Sequence, residues 1–312
     1  MIYNEEKLAS FARRAFKYEE QKIKDTHEAI RKAISTHYDG DAVKEKYGLP
    51  SAPVLDIYLQ GSYKNHTNVT KSSDVDLVVQ VTSIWMANKQ SLPPEQLEKY
   101  NSSHRSIDYP FAEFNIQIFH ALQEFFGEKN LKNGNKCLKL TEHGKYCNAD
   151  IIPCFTYREY GYFKSESDQK CEKGMYFITN NGQFVRNFPK QHYDALTEKS
   201  KNTDGRFKET VRMFKNMKDD LIEKGIINEG TAKSYFIENM LYNIPVTYFS
   251  GTFTERFENI MEHIERQWLT EAFHKFKCAN GIDDLISDQN WKIENAQQFL
   301  IALIQVRDET EL

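Results

Sequence analysis

Two hydrophobic rhythms run along this chain, and they change near Phe188. Between Asn4 and Tyr38 there is neither Pro nor Gly, and Leu8, Phe11, Ala12, Ala15 and Phe16 recur at helical spacing, which predicts one long N-terminal helix. Gly40, Gly48, Pro50 and Pro53 then mark a loop. Val54–Gln60 predicts a strand that ends at Gly61, and Val75–Val81 a second. The polar range 91–109 reads as an exposed insertion. Phe111–Phe126 carries an apolar helical face, and 136–140 and 147–155 read as a strand pair. Alternating aromatic segments follow at 156–164 and 175–179, with Asn180-Asn181-Gly182 as a hairpin turn. Beyond Pro189 helical spacing takes over, at 205–224, 231–243, 253–276 and 295–306. No internal repeat interrupts this order. The pattern predicts an α+β chain: a mixed-sheet core with a long N-terminal helix over residues 1–188, and a helical lobe over 189–312.

Composition alters the picture at three points. The 312 residues carry a formal net charge of -4. A protein that grips long nucleic acid relies on a basic excess to neutralise phosphates. Without one, small nucleotides suit this chain better than polymers, and no DNA requirement is expected. The cysteines, Cys137, Cys147, Cys154, Cys171 and Cys278, are odd in number and show no CxxC spacing, so they read as scattered reduced thiols. No apolar run approaches the roughly 18 residues of a membrane span, and the charged stretch up to Arg14 lacks a signal-peptide core. The expectation is a cytoplasmic monomer that does not engage membranes.

The chemistry concentrates in two places. Gln60-Gly61-Ser62 closes the first predicted strand, and Asp74-Val75-Asp76 opens the second. Alternation along a strand puts Asp74 and Asp76 on one face, about 7 Å apart. Paired carboxylates repel unless a cation sits between them, and hard oxygen donors suit Mg²⁺ or Mn²⁺. Asp150 lies in the apolar strand Asn148-Ala149-Asp150-Ile151-Ile152, where an acid needs a partner. Three such carboxylates can hold two divalent ions for in-line phosphoryl transfer. Gly61 and Ser62 would cradle phosphate with backbone N–H groups and a hydroxyl. Each feature alone has an ordinary reading as a turn, a solvated strand face or a strand-end acid. Their occurrence together, in this order, points to a metal site.

Gly61-Ser62, the Asp74/Asp76 pair and the later Asp150 resemble the signature of the DNA polymerase β-like nucleotidyltransferase superfamily. The second part narrows the likeness: Phe188-Pro189-Lys190-Gln191-His192, Gly205-Arg206-Phe207, Arg212-Met213-Phe214-Lys215-Asn216, Ser234-Tyr235-Phe236-Ile237-Glu238 and Leu241-Tyr242-Asn243-Ile244-Pro245. These stretches resemble the bacterial cGAS/DncV-like nucleotidyltransferases, which make cyclic oligonucleotide signals for anti-phage defence. The likeness runs from the N-terminal helix to about Phe249.

The resemblance implies two lobes, a polymerase β-like palm of mixed sheet and a helical C-terminal lobe, with nucleotides in the cleft between them. It implies an enzyme that uses nucleoside triphosphates and two Mg²⁺ or Mn²⁺ ions held by Asp74, Asp76 and Asp150. A ribose 2′- or 3′-hydroxyl would attack an α-phosphate, release pyrophosphate, and in a second step close a cyclic di- or trinucleotide. Gln60, Gly61, Ser62, Arg212, Lys215, Ser234 and Tyr235 become nucleotide-binding candidates. Lys215 and Ser234 would meet the triphosphate, and Tyr235 would stack on a base. His192 is assigned a structural role. The zinc-bearing insertion of the animal DNA sensor has no counterpart here. The alternatives are a linear oligonucleotide synthetase or a tRNA- or small-molecule-modifying transferase on the same fold. The bases used, the linkage and any regulatory partner protein are not legible.

Overall fold

The computed structural model describes residues 3–14, 18–69, 74–105, 107–288 and 290–308. Two compact units emerge. The described residues of 16–61 and 74–189 form a sheet unit, and those of 1–15, 62–73 and 190–312 form a helical unit. This differs from a single cut after residue 188 in two places, the N-terminal stretch and the segment between the first two strands. The reason for the first is packing. Tyr3, Leu8 and Ala12 sit in one apolar cluster with Phe214, Phe257 and Leu303. The expected helix from Asn4 to Tyr38 is two helices, α1 (Glu5–Ala12) and α2 (Tyr18–His37). Ala15 and Phe16 of its expected stripe lie outside the described residues.

In the sheet unit, β1 (Leu55–Gln60), β2 (Val75–Asn88), β3 (Leu131–Asn133), β4 (Leu138–Leu140), β5 (Ala149–Ser165), β6 (Asp168–Ile178) and β7 (Phe184–Asn187) form one sheet. The order is β1-β2-β5-β4-β3, with β6 on β5 and β7 on β6. Only β2 and β5 pair in parallel. Leu77, Val79 and Ile151 are fully buried on one face. Val78, Cys154, Met175 and Phe177 form an apolar cluster on the other. Covered on both faces, these strands read as apolar runs rather than clean alternation. The hairpin turn at Asn180-Asn181-Gly182 is present, with Gly182 at φ 81°.

The helices of this unit depart from expectation where their apolar content is low. The expected loop contains α3 (Gly40–Tyr47), opened by the Asp39 side chain on Ala42 N–H and closed by left-handed Gly48. The polar insertion contains α5 (Pro94–Ser103), whose Tyr100 packs with Leu92, Tyr160 and Phe163. As expected, α6 (Phe111–Phe126) buries Phe114, Ile118 and Leu122.

The short helix α4 (Gly61–Asn65) leaves the end of β1, and the unit boundary falls after its first residue. The rest of the helical unit is α7 (Pro189–Asn202), α8 (Arg206–Glu223), α9 (Ser234–Tyr242), α10 (Phe253–Leu269) and α11 (Ile293–Asp308). Pro189 opens α7, a position where its missing N–H is harmless. The helix expected to reach Phe276 stops at Leu269, because Glu271 turns left-handed at φ 58° before a 3₁₀ turn at Ala272–Lys275. No helix among the described residues is long and apolar enough to cross a membrane.

Candidate active site

The carboxylates are organised by strand register. Gln60 pairs with Asp76, Asp76 with Asp150, and Asp150 with Lys139 across β1, β2, β5 and β4. Register partners share a face, so these four side chains form a row on one side of the sheet. Asp76 and Asp150 are half-buried; Lys139 is exposed. Asp74 precedes β2 and is exposed. Gly61 turns the chain out of β1 at φ 69°, and a Cβ there would fall on the Asp76 carboxylate. Glycine is therefore required twice, by backbone angle and by close approach.

Two carboxylates side by side on adjacent strands, with hard oxygen donors, fit a divalent cation. Among the described residues, no three His, Cys, Asp or Glu side chains are gathered into a ready-made metal group. The register pairs Asp76 with Asp150, and Asp74 lies just before the start of β2, outside the paired residues. Cys137, two residues before Lys139, also borders the row. Burial first, then the Asp150 carboxylate, pushes its thiol up to about 12. Nothing in the sequence pattern marks Lys139 and Cys137, because their offset from Asp150 exists only in the β4–β5 register. All five cysteines are free.

In the helical unit, Ser234 and Tyr235 open α9, whose N-cap Lys233 makes no side-chain cap. The first N–H groups of that helix are therefore available to an acceptor. Tyr235 is 37% exposed and stacks on the His192 ring at 5.1 Å and 26°. Burial, then Cys278, pushes its hydroxyl pKa up. The hydroxyl end is thus held near Cys278 and one ring face against His192, while part of the residue stays exposed.

Arg212 and Lys215 depart from expectation. Arg212 is buried, donating from Nε to Ala12 O at 2.7 Å and from a terminal nitrogen to His66 O at 2.8 Å. Lys215 is 1% exposed and donates to Glu238 Oε1 at 2.6 Å and to the carbonyl and hydroxyl of Thr67, each at 3.2 Å. Lys215 has three donors, and these acceptors engage all of them. Both cations are internal ties rather than surface contacts, because the helix face that carries them is covered by α1 and the segment after α4. Glu238, the partner of Lys215, carries no role in the sequence pattern. Its signal was an acid among Phe236, Ile237, Met240 and Leu241, all buried on α9. Burial alone would raise the Glu238 pKa; the Lys215 ammonium and His192 reverse this and hold it well below the usual carboxylate range.

Similarity to known proteins extends over most of the chain. Residues 194–307 match the family model of the cGAS/DncV-like nucleotidyltransferase C-terminal helical domain. The chain is 36% identical over 279 residues to a cyclic UMP-AMP synthase of Rhodothermus marinus, covering 89% of each. It is 37% identical over 258 residues to the cyclic nucleotide synthase CdnE01 of Staphylococcus haemolyticus, covering 80% of this chain and 83% of that protein. The structure of the R. marinus CdnE c-UMP-AMP synthase with Apcpp and Upnpp superposes with a TM-score of 0.83 at 33% identity, over 98% of this chain and 97% of that one.

Proposed function

Because the chain belongs to the cGAS/DncV-like nucleotidyltransferases, we propose that it converts nucleoside triphosphates into a cyclic di- or trinucleotide and releases pyrophosphate. The observation that carries this reading is the row Gln60–Asp76–Asp150 beside Gly61. Asp76 and Asp150, with Asp74 two residues before Asp76, are the groups that would hold Mg²⁺ or Mn²⁺. Such ions supply activation of the attacking ribose hydroxyl and neutralisation of the leaving pyrophosphate. Gly61 keeps the Asp76 carboxylate against the start of α4 and leaves Ser62 as the next donor in the chain. The open ring of Tyr235 offers a base a face, and the uncapped start of α9 offers phosphate its N–H groups. Nucleotide substrates are supported by the R. marinus relative, whose structure holds two nucleotide analogues. The reading places the enzyme in the cytoplasm, with signalling against phage as its purpose and no DNA activator, in keeping with a net charge of -4.

The test is incubation with four labelled nucleoside triphosphates and Mg²⁺ or Mn²⁺, followed by phosphatase, nuclease and mass spectrometry. A phosphatase-resistant product whose mass fits a closed ring is expected. A phosphatase-sensitive ladder would make the enzyme a linear synthetase, and absence of any product would overturn the reading.

A further inference from the structure

Four donors converge on the Glu238 carboxylate inside the helical unit. Its Oε1 accepts from Lys215 Nζ at 2.6 Å and Thr67 Oγ1 at 2.5 Å; its Oε2 accepts from His192 Nε2 at 3.0 Å and Asn65 Nδ2 at 3.4 Å. A carboxylate offers about four acceptor sites, so this one is full. All five residues are buried. Apolar residues of similar volume often stabilise a core as well as a buried ion pair does. Stability alone therefore does not account for the knot.

What it holds does. His66, between Asn65 and Thr67, adopts φ 55°, a left-handed conformation disfavoured for residues with a Cβ. Its carbonyl accepts from Arg212 at 2.8 Å, and the Thr67 carbonyl accepts from Lys215 at 3.2 Å. Such a backbone persists only where its surroundings over-determine it. The turn closes through Thr67 N–H donating to Ser62 O at 2.9 Å, and Ser62 directly follows Gly61. At the other end, Glu238 lies one helical turn after Tyr235 on α9. His192 joins the two, stacking its ring on Tyr235 while donating from Nε2 to Glu238. Its Nδ1 is buried with no hydrogen-bond partner among the described residues, so the bond to Glu238 is the hydrogen bond that orients the stacked imidazole.

We propose that Glu238 is a positioning residue for nucleotidyl transfer: one carboxylate fixes both the turn that follows Gly61-Ser62 and the imidazole that backs Tyr235. It touches no nucleotide and acts through Asn65, Thr67 and His192. The proposal rests on the function proposed above.

Three variants test it by Tm, kcat, KM and amide hydrogen exchange over residues 62–67. Glu238→Gln strands the buried Lys215 and lowers both Tm and kcat. The double variant Glu238→Leu/Lys215→Met removes both charges. It is expected to recover most of the Tm, while exchange at 62–67 rises and kcat stays down on the order of 10²-fold, the scale of a misplacement of about 1 Å. Thr67→Val removes the hydroxyl's bonds to Glu238 and Lys215 and leaves the His192–Glu238 bond in place; it should lower kcat and leave the KM for nucleotide in place. A double variant that regains Tm, exchange protection and kcat together would overturn the proposal, as would a Thr67→Val enzyme with parental kcat and exchange. Parental turnover in the same assay tests the proposed function separately, and the exchange measurement judges the positioning claim without relying on turnover.

Discussion

Asp76 sits half-buried beside Asp150, with its carboxylate where a Cβ of residue 61 would be. Asp76→Asn keeps that shape and removes one metal-binding charge. Turnover is expected to fall by at least on the order of 10²-fold, with the melting temperature held or raised because a like-charge repulsion is relieved. Near-parental rates would remove the metal site from consideration. Tyr235 tests the other unit. Stacking on an aromatic face is worth roughly 1–3 kcal/mol per base, so Tyr235→Ala should raise the KM for nucleotide, and Tyr235→Phe should leave it nearly unchanged. A Tyr235→Ala enzyme that melts early but keeps its KM would make the ring a packing residue. The carboxylates stand out as candidates because strand alternation is local and an acid in an apolar strand is conspicuous. The roles of Arg212 and Lys215 are not legible, since a helix face carrying cations reads the same whether water or another segment covers it.

Among the elements, helices with a strong apolar stripe and a defined start were the readable ones. α10 begins with Thr252, whose side chain accepts from Glu255 N–H while the Glu255 carboxylate accepts from Thr252 N–H. Thr252→Ala removes half of that reciprocal cap and should cost about 1 kcal/mol, measured by denaturant unfolding with no change in KM. A variant as stable as the parent would show that α10 is held by packing alone. α3, α5 and α7 escaped because their surfaces are largely polar and their starts carry the signal, at Asp39, Pro94 and Pro189. β5 runs unbroken through 149–165, where two segments were expected. Its far half exchanges partners, from β4 to β6 on the same edge, and a change of partner leaves no mark on periodicity.

For the whole molecule, a nucleotide analogue that binds only the folded protein should raise its stability, by about 2.7 kcal/mol at a hundredfold excess over Kd. The rise in melting temperature should need Mg²⁺ or Mn²⁺ together with the analogue, vanish with a chelator, and be lost in Asp76→Asn. A shift with nucleotide alone, equal in parent and variant, would detach nucleotide binding from the carboxylates. The sequence by itself determined the element types over most of the chain and the places of Gly61, Ser62, Asp74, Asp76 and Asp150, because spacing and strand alternation depend on neighbours in the chain. The tertiary structure alone decided that Asp76 and Asp150 share a register while Asp74 stays outside it. It also assigned residues 62–69 to the helical unit and turned Lys215 inward to Glu238, 23 residues away, and to Thr67, 148 residues away. Burial is a property of what packs over a face, and here the covering segments come from distant parts of the chain.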